Sequence, residues 1–128
     1  MILLLDTSTP TCKLSLIDDS SRHDDEWQAD RTLADNLLSY LRDQLAGQGK
    51  TFQDVTAVGV YRGPGSFTGL RIGLTVANTI ADSQSIPIVG STGDDWQQSV
   101  LARIDAGEND LLVMPLYGSE ANITTPRK

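Results

Sequence analysis

Apolar and polar positions along this chain follow two periods, one of two residues and one near 3.6, and the order in which they occur predicts the fold. Residues 2–5 are uniformly apolar, the pattern of a strand buried on both faces. The run Lys13-Leu14-Ser15-Leu16-Ile17 alternates and predicts a second strand, folded back on the first through the turn-rich residues 6–11. Residues 18–25 are polar and predict a hairpin loop, with Glu26-Trp27-Gln28 as a short third strand at the sheet edge. At residues 33–48 the period becomes helical. Leu33, Ala34, Leu37, Leu38, Leu41 and Leu45 fill one arc, opposite Asp35, Asn36, Ser39 and Arg42, and Gly47 and Gly49 end the helix. Residues 55–61 predict a fourth strand, 70–82 a second helix, 86–89 a fifth strand and 94–106 a surface helix closed by Gly107. Residues 111–116 are a last apolar run broken by Pro115, and residues 119–128 carry no core pattern, as expected of an exposed tail.

The order β-β-β-α-β-α-β implies an α/β fold: a mixed sheet with helices packed on it. The ribonuclease H-like lobe has this order, as do other α/β sandwiches. No internal repeat and no low-complexity tract interrupts it.

The second helix has an unusual wheel. Arg71, Thr75, Asn78 and Asp82 form one narrow polar stripe, and most of the remaining circumference is apolar or small. Gly69, Gly73, Ala77 and Ala81 recur every four residues, so another element can approach the backbone along that line. Glycine inside a helix costs about 1 kcal/mol relative to alanine, and two of them call for a compensating contact. Either the first helix and the sheet cover this helix within the monomer, or a partner helix does so in a homodimer or heterodimer. The second alternative is the expectation taken to the structure.

Between the fourth strand and this helix runs Arg62-Gly63-Pro64-Gly65-Ser66-Phe67-Thr68-Gly69-Leu70-Arg71-Ile72-Gly73. Pro64 fixes its own φ, Gly63 and Gly65 admit a sharp turn, and Ser66 or Thr68 can cap the helix. A glycine turn at a helix N-terminus is also a candidate anion cradle, although no Gly-Lys-Ser/Thr follows to make a Walker A loop. Asp6, Thr7 and Ser8, ending the first strand, are the matching candidates for a phosphate-facing or metal-linked site. The alternative for them is an Asx-type turn shaping the hairpin.

Composition narrows the function classes. The 128 residues suit one domain with a real core, and 39% hydrophobic with 21% charged residues is ordinary for a globular protein. Ten Lys plus Arg against 17 Asp plus Glu leave a formal charge of -7, a poor balance for gripping nucleic acid directly. Cys12 is the single cysteine, so there is no internal disulfide and no thiol zinc site; Lys13 beside it favours a lower pKa, but no base is near in sequence, and the thiol is read as packed or partly exposed. The apolar start is too short for a signal h-region and no stretch is long enough to span a membrane, so the expected compartment is the cytoplasm. His23, the only histidine, falls in the acidic segment read as a solvated loop. Ser66 lacks the Gly-x-Ser-x-Gly spacing of a nucleophile elbow and reads as a cap. Arg62 and Arg71 flank the turn and are read as holding an acidic partner group or pairing with local carboxylates.

The turn sequence, with Leu3-Leu4-Leu5-Asp6-Thr7-Ser8 before it and Ile86-Pro87-Ile88-Val89-Gly90 after, resembles the TsaB family, also called YeaZ. The resemblance runs from residue 1 to about residue 90. It implies the ribonuclease H-like lobe of the actin-like ATPase (ASKHA) superfamily, with residues 1–110 as that lobe and residues 111–128 as a remnant strand and flexible tail. Family members usually carry a second lobe of similar size, so a short form lacking most of it is expected here. The resemblance further implies a bacterial, noncatalytic dimerisation subunit, homodimeric in isolation. It binds its TsaD paralogue, with the ATPase TsaE joining, in the complex that forms N6-threonylcarbamoyladenosine at position 37 of tRNA, and it meets tRNA only through that complex. Catalytic and metal residues are then expected to be absent, the paralogue's His-x-x-x-His pair being missing. The implied partner interface lies on the two long helices, at Leu33, Leu37, Leu41, Gly69, Ile72, Gly73, Val76, Ala77 and Ile80. No cofactor is required. An alternative, a small nucleotide-binding module of the same superfamily, would hold ATP and magnesium at Asp6, Thr7, Ser8, Gly63, Gly65 and Ser66. A glycoprotease-like peptidase is the third reading.

Overall fold

Five strands form one mixed sheet in the order β3-β2-β1-β4-β5: β1 (Ile2–Asp6), β2 (Thr11–Ile17), β3 (Arg22–Gln28), β4 (Ala57–Tyr61) and β5 (Ile88–Ser91). The computed structural model describes residues 1–117. β1, β2 and β3 form an antiparallel meander, while β1, β4 and β5 run parallel. Parallel neighbours need crossover helices. These are α1 (Leu33–Gly47) between β3 and β4, and α2 (Phe67–Gln84) between β4 and β5; α3 (Trp96–Asp105) follows β5.

Strand alternation sends Leu3, Leu5, Cys12, Leu14, Leu16, Val58, Val60 and Ile88 to one face, where they pack with α1 and α2. Leu4 and Val89 point the other way, onto Trp96 and Val100 of α3. Gly59 is where α3 comes closest: a Cβ there would lie 2.9 Å from Val100 Cγ2 and 2.6 Å from Leu4 Cδ2. β1 is buried on both faces because it is central and carries helices above and below, as its unbroken apolar run predicts.

Two sequence expectations need correction. Residues 22–25 are not loop: β3 is a full seven-residue strand whose side chains alternate between exposed and half-buried. Its polarity reflects its edge position, because edge strands carry charge to discourage adventitious pairing. His23, Asp25 and Trp27 lie on the α1 side, where Tyr40 Oη donates to Asp25 (2.5 Å), His23 Nε2 meets Gln44 Oε1 (2.8 Å) and the Trp27 and Tyr40 rings stack.

Residues 111–116 form no strand. The outer edge of β5 is already closed by side chains: Ile88 N–H donates to Asn109 Oδ1, Gly90 N–H to Asp110 Oδ2, and Arg103 Nη1 to the Gly90 carbonyl. The backbone N–H of Asp110 donates to the Ile88 carbonyl, and Arg103 pairs with Asp110. The chain then crosses to α2 as an irregular strap. Asn78 holds both backbone groups of Val113, and Arg62 Nε donates to the Met114 carbonyl. Val113 is buried, while Leu111, Leu112 and Met114 are exposed. The tail, residues 119–128, lies outside the described residues.

Candidate functional site

Each glycine of the turn between β4 and α2 answers to a close neighbour. Gly63 takes φ +120°, and a Cβ there would overlap the Leu116 carbonyl and sit 2.9 Å from Leu70 Cδ1. The Gly63–Pro64 peptide is cis. Gly65 lies on Ser8, where a Cβ would come within 2.8 Å of the carbonyl oxygen. Ser66 starts α2 as N-cap, its Oγ accepting from Gly69 N–H (3.2 Å). The turn is pinned to the β1–β2 connection by Ser66 N–H donating to the Ser8 carbonyl (2.8 Å) and by Thr7 Oγ1 donating to the Gly69 carbonyl (2.7 Å).

Several of the phosphate-cradle candidates therefore spend polar groups inside the chain. Asp6 Oδ1 accepts from both Ser8 N–H (2.9 Å) and Ser8 Oγ (2.6 Å), the Asx-type turn. Thr7 and Ser8 are buried. Asp6, Thr7, Ser8, Gly63, Gly65 and Ser66 do come together in space, and what the contacts make of them is a latch between strand and helix.

The small-residue line of α2 has the same explanation. A Cβ at Gly73 would overlap the Thr7 side chain, and one at Gly69 the Thr7 carbonyl. Gly73, Ala77, Ile80 and Ala81 are buried against the sheet, as are Leu33, Leu37 and Leu41 beneath α1. Six of the nine residues expected at a partner interface are thus core residues of the monomer: Leu33, Leu37, Leu41, Gly73, Ala77 and Ile80. Gly69, Ile72 and Val76 remain partly exposed. The compensating contact for the helical glycines is β1 and its turn, and the side of α2 away from α1 is covered by Asn78 and the strap.

What stays open is the seam between the helices. A groove of about 340 Å³ is lined by Ala34 of α1 and Thr68, Arg71, Ile72, Thr75 and Val76 of α2. It shares Ala34, Thr68 and Ile72 with a larger cleft of about 610 Å³ that reaches Pro10, Ala29 and Leu33. Leu38 is 55% exposed and Phe67 49%. Arg71 lies over the Phe67 ring, 5.4 Å from its centroid, and Arg62 is engaged with the strap; among the described residues neither forms a salt bridge with a carboxylate. Sequence reasoning placed Thr75 on the polar stripe of α2 but missed Ala34, Leu38 and Phe67 as surface. The signal was the i, i+4 line Leu33-Leu37-Leu41-Leu45, which alone fills the buried stripe of α1 and turns Ala34 and Leu38 outward.

Titratable groups near the latch are held in place. Burial, reinforced by Asp6 and Asp25, pushes the Cys12 thiol up to about 12, the reverse of activation by Lys13. Burial, with the bond to Asp25, raises the Tyr40 phenol. Ser15 and Arg22 hold Asp24 below its ordinary value. On the opposite sheet face a cleft of about 610 Å³ is lined by Asp6, Lys13, Arg22, Asp94, Asp95 and Trp96. Among the described residues no three His, Cys, Asp or Glu cluster as a metal set, and no helix is long and apolar enough to cross a membrane.

The family model described as tRNA N6-adenosine threonylcarbamoyltransferase (TsaD) matches residues 27–92, from the end of β3 to just past β5. The Escherichia coli tRNA threonylcarbamoyladenosine biosynthesis protein TsaB is 32% identical over 115 residues, covering 82% of this chain and 50% of that protein. The chain belongs to the TsaB (YeaZ) family. The Haemophilus influenzae TsaB is 34% identical over 69% of this chain and 37% of its own length. The solved YeaZ from Pseudomonas aeruginosa superposes with a TM-score of 0.64 at 32% identity, over 71% of this chain and 44% of that one. The chain thus spans half or less of the length of these TsaB relatives. The fold is the actin-like, ribonuclease H-like α/β arrangement of TsaB structures.

Proposed function

We propose that this chain is a noncatalytic docking subunit in the formation of N6-threonylcarbamoyladenosine in tRNA, and that it binds a TsaD-type paralogue through the seam between α1 and α2. One observation carries the reading. Between the two helices a groove lined by Ala34, Thr68, Arg71, Ile72, Thr75 and Val76 is open to solvent, and the same two helices expose Leu38 and Phe67. Exposed apolar surface rimmed by polar groups such as Arg71 and Thr75 is the ordinary signature of a partner site. The comparisons support the choice of partner. The E. coli relative is named for threonylcarbamoyladenosine biosynthesis, and the transferase model matches the segment containing α1 and α2. Two proteins sharing one helix pair can meet by pseudo-twofold packing of that pair, as two copies would in a homodimer. TsaE would join the assembled pair, and tRNA would be met only through it. The reading requires no cofactor.

The test is charge insertion on the exposed seam. Leu38→Glu and Ile72→Glu should each weaken binding to TsaD at least about tenfold, as burying an uncompensated charge in an interface does; Leu38→Glu should leave the melting temperature of the free chain nearly unchanged, and Ile72→Glu, at a half-buried position, should lower it while keeping the chain folded. Undiminished binding by both variants would overturn the assignment.

A further inference from the structure

Charge on the α1–α2 side runs against charge on the rest of the molecule. The chain carries ten Lys plus Arg against 17 Asp plus Glu. Three grooves follow α2 on this side: the two that meet at Ala34, Thr68 and Ile72, and a third of about 420 Å³ between α2 and the strap, reaching Leu112, Met114 and Tyr117. The charged residues lining them are Asp30, Arg31 and Arg71, so the acidic excess of the chain is reversed here. Asp30 Oδ1 already accepts from Gln28 Nε2 (2.9 Å). Asp35 of α1 is exposed but lines none of the three grooves. Among the described residues neither Arg31 nor Arg71 forms an ion pair. The first turn of α2, which opens on the same grooves, holds no acidic residue to offset the positive end of the helix.

Arg71 is fixed in place and still free to bind. Its guanidinium lies over the Phe67 ring, 5.4 Å from the centroid, and the Tyr117 ring packs on Phe67 at 4.5 Å. A guanidinium over a ring face keeps its N–H donors in its own plane, where a carboxylate can accept them. Arg71 also stands between two hollows, with Ile72 and Val76 in the α1–α2 groove and Leu112 and Met114 in the strap groove. Leu112 and Met114 are each 59% exposed. We propose that Arg71 is the charge anchor of this surface, and that the occupant is an acidic amphipathic helix of the partner. An Asp or Glu of that helix meets Arg71, and the apolar side chains flanking it enter the two hollows. The proposal rests on the seam reading above and adds the chemistry of the partner's element. A second copy is the poorer occupant, because two seams packed face to face would bring Arg31 and Arg71 of each together with only Asp30 of each to answer them.

The experiment is calorimetric titration of the chain with TsaD from the same organism, at about 0.05 M and about 0.5 M sodium chloride. Arg71→Glu should weaken binding at least about tenfold in low salt and by much less in high salt, where the charges are screened. Arg71→Met keeps an apolar stem on the Phe67 ring and removes the donors, and its loss should fall between parent and Arg71→Glu. Both variants should melt like the parent, because Arg71 is exposed and supports no ion pair among the described residues. Leu38→Glu is titrated beside them as the test of the seam itself. If Leu38→Glu weakens binding while both Arg71 variants bind like the parent, the seam stands and the anchor is overturned. If all three bind like the parent, the seam reading falls and the anchor with it. Equal losses for Arg71→Glu at both salt concentrations overturn the charge pairing. So does a parent chain that self-associates more tightly than it binds TsaD and loses that association with Leu38→Glu, which would make a second copy the occupant.

Discussion

Thr7 shows how one residue can decide what a glycine is for. The Gly69-Gly73-Ala77-Ala81 line looked like a seat for another helix, and the sequence offered no way to see that Thr7, more than sixty positions away, fills it. Gly73→Ala should therefore cost about 1–3 kcal/mol of stability, the ordinary penalty for overpacking a closed core, measured by urea denaturation. A variant as stable as the parent but impaired in partner binding would return the line to the interface. Cys12 makes a second residue-scale prediction. Its thiol is buried and its pKa is lifted from 9.0 to about 12, so native protein at pH 8 should not react with a thiol reagent until it unfolds. The sign for stability follows: a raised folded value stabilises fully below pH 9 and loses that contribution as pH climbs toward 12. Rapid stoichiometric labelling of folded protein would contradict this burial.

At the scale of elements, what was legible was what hydrophobic periodicity records. The buried β1, the leucine stripe of α1 and the cap at Ser66 could be read because local pattern and tertiary burial agree there. β3 could not, because an edge strand that shows one face to solvent and pairs its other face with polar groups of α1 has no apolar alternation to read. The strap after α3 was misread for the converse reason. Its apolar residues suggest a strand, yet the β5 edge it would join is taken by Asn109 and Asp110. Burial opposes the charge of Asp110, but the bonds from Arg103 and Gly90 outweigh it and hold the carboxyl below its ordinary 3.8. A depressed carboxyl contributes fully above that value and loses its contribution as pH falls through the folded value. Asp110→Asn should be about 1–2 kcal/mol less stable at neutral pH, the range for a hydrogen bond to a partly exposed charge, and should show a flatter loss of stability below pH 4. Parallel acid profiles for the two proteins would show that the clasp carries no such linkage.

At the scale of the whole chain, the described residues form one sheet with two helices on one face and one on the other, and the strand–helix order alone was enough to anticipate that. The outward face of the helix pair was harder to read. Helical wheels for α1 and α2 do not say where one helix lies against the other, so Leu38 was counted with the core arc and the buried Leu33, Leu37 and Leu41 with the interface. For that reason Ala77→Glu should unfold the chain, whereas Leu38→Glu should leave it folded and spoil association. The measurement that bears most directly on the account is size-exclusion chromatography with light scattering, run on the chain alone, on TsaD from the same organism, and on their mixture, with and without Ile72→Glu. The account predicts a mixed one-to-one complex that forms with the parent chain and is lost with the variant, while the variant keeps its circular dichroism. A parent chain that elutes unchanged beside TsaD, or an Ile72→Glu chain that still forms the complex, would contradict it.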